Sequence, residues 1–96
     1  MPIYITRVSL TQKGAETLKE GPKRTGKVRE WIQKAGGRVV GAYATLGESD
    51  YLWITEFPDT KAAWSVLARV AQLGTSRSHT VEAIPLEDFY KIVGQP

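Results

Sequence analysis

Two short segments of this chain carry apolar side chains at both odd and even positions: Ile3-Tyr4-Ile5-Thr6-Arg7-Val8 and Tyr51-Leu52-Trp53-Ile54-Thr55-Glu56-Phe57. Successive side chains of a strand point to opposite faces of its sheet. Ile3 and Ile5 therefore oppose Tyr4 and Val8, and Leu52 and Ile54 oppose Tyr51, Trp53 and Phe57. Strands that are apolar on both faces belong in the middle of a sheet covered on both sides. A chain of 96 residues is the size of one domain, spanning 1–96, and hides only about 60–65% of the surface its unfolded form exposes. Its own helices can cover one face of the sheet. The other face needs a partner.

The remaining pattern supplies the helices and the edges. Ile3 to Leu10 predicts a first strand, rich in β-branched and aromatic residues. Thr11 is placed to cap a short helical stretch over Ala15 to Lys19. Gly21-Pro22 opens a longer helix, because proline suits a first turn. Val28, Trp31, Ile32 and Ala35 recur along it at helical spacing, and Gly36-Gly37 ends it. Arg38 to Thr45 and Tyr51 to Phe57 predict two strands, joined by the turn-like Leu46-Gly47-Glu48-Ser49-Asp50 as a hairpin. Asp59 predicts the N-cap of a helix over Thr60 to Leu73, with Ala63, Val66, Leu67, Val70 and Ala71 on one stripe and Gly74 after it. Ser76 to Ile84 predicts a more polar fourth strand. A last short helix starts near Pro85, with Phe89, Ile92 and Val93 as its packing face. This order, βαββαβ, is the ferredoxin-like arrangement. It is an α+β fold with a four-stranded antiparallel sheet, strands one and three in the centre, plus a short C-terminal helix.

Two occupants suit the second face. One is another copy of the chain, with Tyr51, Trp53 and Phe57 as the expected interface. The other is RNA, which RNA-recognition motifs of this topology stack on aromatics of strands one and three. Tyr4, Tyr51 and Trp53 stand at suitable spacing, but Ser49-Asp50 replace a basic residue and a glycine, and Glu56 replaces a third aromatic. Carboxylates beside a stacking platform repel phosphate, so self-association is the favoured reading.

An ordered set of residues along nearly the whole chain resembles the GYD-domain family of the dimeric α+β barrel superfamily. Pro2-x-Tyr4 opens it, followed by Thr11-x-x-Gly14, Pro22-x-Arg24, Gly36-Gly37, Tyr43, Gly47-x-x-Asp50 and Glu56-x-Pro58-Asp59. Arg77, Thr80 and Ala83 fall on the last strand, and an acidic-aromatic helix spans Glu87 to Phe89. The namesake Gly-x-Tyr-Asp reads Gly47-Glu48-Ser49-Asp50, with serine in place of the tyrosine. The resemblance implies a homodimer in which two sheets face each other. The wider superfamily includes cofactor-free monooxygenases, isomerases, haem-handling enzymes and amino-acid-sensing domains, an analogy at the level of fold.

The chemistry on offer is sparse. The absence of cysteine excludes disulfides, thiolate metal sites and a thiol nucleophile. One histidine and scattered carboxylates lack the spacing of a metal site, so neither metal nor cofactor is expected. Residues 1–38 hold nine Lys and Arg against three Glu, and residues 39–96 hold four against seven Asp and Glu. This reads as a solvated basic helix face rather than a nucleic-acid footprint. His79 is the candidate acid/base, since imidazole titrates near neutrality. It would serve an enzyme of the cofactor-free oxygenase or isomerase kind if an aromatic-lined cavity reached it. Arg7 and Arg77, on neighbouring strands, either hold an anionic ligand or pair with Glu56 or Glu82. Tyr4, Tyr43 and Trp53 join them as candidate ligand contacts. Asp59 and Asp50 are explained by capping and turn geometry. The N-terminus shows no leader pattern and no stretch is long enough to span a bilayer, so a cytoplasmic location without membrane attachment is expected. The function that fits is a homodimeric interaction or small-molecule-binding module.

Overall fold

The computed structural model describes residues 1–94. Its strands are β1 (Ile3–Leu10), β2 (Arg38–Ala44), β3 (Tyr51–Glu56) and β4 (Ser76–Ala83). Its helices are α1 (Gln12–Glu16), α2 (Gly21–Lys34), α3 (Thr60–Leu73) and α4 (Leu86–Ile92), with one 3-10 turn over Leu18–Glu20. The sheet order is β2-β3-β1-β4, antiparallel throughout, which puts β1 and β3 in the centre as expected.

Local chemistry sets the boundaries. The Thr11 hydroxyl accepts from Gly14 N at 3.2 Å and donates to the Gly74 carbonyl at 2.8 Å, so one side chain starts α1 and ties it to the end of α3. Gly14 is required by contact: a Cβ there would lie 2.0 Å from the Thr75 carbonyl oxygen. Asp59 caps α3 by accepting from Ala62 N at 2.8 Å. Gly74 closes α3 in the left-handed conformation that other residues pay to adopt.

Helices α2 and α3 lie on one face of the sheet. Tyr4, Ile32, Phe57, Ala63 and Val66 form the buried core, and Val28, Trp31, Ala35, Val39, Trp53 and Val70 pack around it. The rings of Tyr4 and Phe57 meet edge to face at 5.8 Å. This face carries Tyr4, Thr6 and Val8 from β1, opposite Thr55, Trp53 and Tyr51 of β3.

Two expectations are corrected here. Phe57 is only 4% exposed, inside the chain's own core, and Trp53 and Tyr51 share the helix-covered face. That trio is not available to a second copy on the open face. It is also no platform for RNA bases. The expected packing face of α4 is not buried among the described residues: Phe89, Ile92 and Val93 are all exposed.

Candidate functional site: the open sheet face and a groove beside helix α3

The helices leave the other face of the sheet open. Register places Ile5 opposite Ile54 and Val81, and Arg7 opposite Leu52 and His79. Ile3, Ile5, Leu52, Ile54 and Val81 thus form an apolar surface across three strands, and exposed Tyr43 adds to it from β2, opposite Leu52. Arg38 and Glu56 bound one end, with Arg38 Nε donating to Glu56 Oε1 at 2.5 Å. That hydrogen bond, aided by the charge of the guanidinium, holds the Glu56 carboxyl below the usual glutamate value.

The opposite end is cationic. Arg7, Arg77 and His79 gather with Ser9, Glu48 and Ser49 around a shallow depression of about 400 Å³. Arg7 stands directly across from His79, and Arg77 across from Ser9. Glu56, the expected partner for an arginine here, is taken by Arg38. Among the described residues, the ion pairs are Arg38–Glu56 and Lys34–Glu30, neither of which involves Arg7 or Arg77.

The turn between β2 and β3 is built on the residues that carry the resemblance. Gly47 has φ +111°, open to glycine and costly for other residues. Asp50 accepts from Leu10 N at 2.7 Å, and its own N–H donates to the Val8 carbonyl at 2.8 Å. Thr45 Oγ1 donates to the Ser49 carbonyl at 2.7 Å. Gly47 and Asp50 thus serve the hairpin's shape and its attachment to β1. Ser49, at the substituted position, lines the depression beside Arg7.

A second concavity lies on the helix side, where α3 leaves β4 uncovered. This groove of about 600 Å³ has one wall of Ala63, Trp64, Leu67 and Ala71, and another of Thr80 and Glu82. At its floor the Tyr4 hydroxyl meets Thr60 Oγ1 at 3.1 Å. Thr80 hydrogen-bonds Thr6 on this side of the sheet. Strand alternation puts His79 on the other side.

The predicted site residues therefore separate. Arg7, Arg77 and His79 come together on the open face, and Tyr43 lies farther along it. Tyr4 is buried at the groove floor. Trp53 sits under the Arg29 guanidinium, 5.5 Å from the ring centre. Among the described residues, the depression that His79 lines carries no aromatic side chain, whereas its role as an enzymatic base required an aromatic-lined cavity. The sequence reading missed Ile3, Ile5, Ile54 and Val81 as the open surface. A signal was present: the charged residues of β1 and β3, Arg7 and Glu56, both share the parity of Ile5 and Ile54.

The fold and this open face define a ferredoxin-like α+β domain. The family profile of the GYD domain matches residues 4–93, and the chain belongs to the GYD-domain family. It is 36% identical over 90 residues to the glutamine synthetase and cystathionine beta-lyase binding protein of Thermus thermophilus, covering 93% of this chain and 95% of that protein. Its fold is similar to that of a transcriptional regulator from Neisseria meningitidis solved in complex with L-Met, with a TM-score of 0.61 and 22% identity. The match covers 88% of this chain and 50% of that one.

Proposed function

We propose that the chain is a homodimeric protein-interaction module that binds enzymes of amino-acid metabolism. The match to the Thermus protein carries this reading, since that relative is named for two such enzymes and the match covers 95% of it. The open face supports the dimer. Ile5, Leu52, Ile54 and Val81 form an apolar surface of the kind that marks an association site in a soluble domain. The test uses the purified chain with glutamine synthetase and cystathionine beta-lyase from its own source, followed by surface plasmon resonance. Saturable binding to either enzyme is expected. Binding to neither at tens of micromolar, by a correctly folded chain, would sink the reading.

The cationic depression favours a second reading, a small anionic or zwitterionic ligand held by Arg7, Arg77 and His79. Guanidinium groups pair with carboxylates through two parallel hydrogen bonds, and the structural neighbour was solved with an amino acid. Calorimetric titration with a panel of amino acids would show binding that Arg7→Ala removes.

A further inference from the structure

Helix α4 is amphipathic, and its apolar face is not buried among the described residues. None of its residues is buried, and Phe89 and Ile92 are 48% and 76% exposed. A seven-residue helix does not persist in water without tertiary contacts. The Cα radius of gyration is 14.7 Å, against about 12.5 Å for a compact chain of this length, as expected when an arm projects from the body. The groove between α3 and β4 is the matching vacancy, with Trp64 67% exposed on its apolar wall.

Charge and reach decide whose arm fits. Glu82 lines the groove near the end of β4, and the start of β4 borders it through the uncharged Ser76 and Ser78. Helix α4 carries Glu87 and Asp88 in its first turn and Lys91 in its last. Charges match when Lys91 lies at the Glu82 end and the acidic first turn of α4 lies at the Ser76 end, away from Glu82. The chain's own α4 cannot adopt that polarity. Ser76 is about 23 Å along the strand from Ala83, whereas Ile84-Pro85 carries the chain at most about 11 Å from Ala83 to Leu86. Folding back on its own groove would instead set Glu87 and Asp88 beside Glu82.

We propose that α4 of one chain docks in the α3–β4 groove of a second copy, an exchange of arms within the dimer. This rests on the homodimer reading but adds an interface distinct from the open sheet face. The chain's lack of cysteine makes the test clean. Chains with Phe89→Cys and chains with Ala68→Cys, a groove-lining residue of α3, carrying tags of different length, are mixed and treated with a short bismaleimide. The expected product is the mixed cross-link. Its absence overturns the proposal. So does a Phe89→Cys/Ala68→Cys double variant bridged only within one chain, or binding of a naphthalenesulfonate dye to the groove of an intact dimer. As an independent readout, Phe89→Ser with Ile92→Ser in the full chain should raise the dimer dissociation constant about tenfold or more. An unchanged constant by sedimentation leaves the sheet dimer standing and removes the arm. A wild-type chain that sediments as a monomer removes both.

Discussion

At the scale of the residue, burial and pairing decide roles that residue type alone leaves open. Phe57 was an interface candidate because it is a large aromatic on a strand. In the fold it is enclosed by Tyr4 and its neighbours, and Phe57→Ala should cost about 3–5 kcal/mol in urea denaturation through the cavity it leaves. Glu56 shows the reverse case, a carboxylate whose chemistry is set by one contact. Its folded-state pKa is lowered by Arg38, so the Arg38 contact stabilises the fold above the unfolded-state glutamate pKa. That contribution is lost as pH falls through the depressed folded value. Carboxyl NMR titration should find the Glu56 midpoint below the ordinary glutamate range, and Arg38→Gln should return it there.

At the scale of the element, capping residues were the most legible signals. Thr11 and Asp59 occupy the caps that their side-chain oxygens suit, and both make the expected hydrogen bond. Asp59→Ala should destabilise the domain by about 0.5–2 kcal/mol, read as a lower urea midpoint with an unchanged slope. Helix α4 was legible as a helix but not as an arm. Its amphipathic pattern says that it packs; it does not say on which chain. The two-residue linker after β4 and the charges at its two ends carry that distinction. They acquire meaning only once Glu82 lies in a groove beside α3.

At the scale of the molecule, the central question is the uncovered face of the sheet. A two-layer domain this small has a thin core, and apolar strands facing outward in a monomer are a standing invitation to associate. Replacing Ile54 with glutamate places a charge in the middle of that face, away from the helices. Ile54→Glu should keep the native circular dichroism while the sedimentation coefficient shifts from dimer to monomer. A dimer that survives this change would mean that the copies meet through another surface, with the α4 arm the first to examine. Binding of metabolic enzymes would then be measured on both forms, to ask whether the pair or the single chain is recognised.

The sequence by itself determined the elements, their order and the central position of β1 and β3. Those properties are local, set by alternation, helical spacing and capping within a few residues, and by the few topologies that short connections permit. It also showed that the central strands have two apolar faces. The tertiary structure alone decided which parity meets the helices. That choice depends on how α2 and α3 settle across residues far apart in the chain. It sent Tyr51, Trp53 and Phe57 inward, left Ile5, Ile54 and Val81 outward, and brought Arg7, Arg77 and His79 together. Pairing of Arg38 with Glu56, separate from Arg7 and Arg77, was settled in the same way, because contacts between side chains of different strands follow register and not sequence.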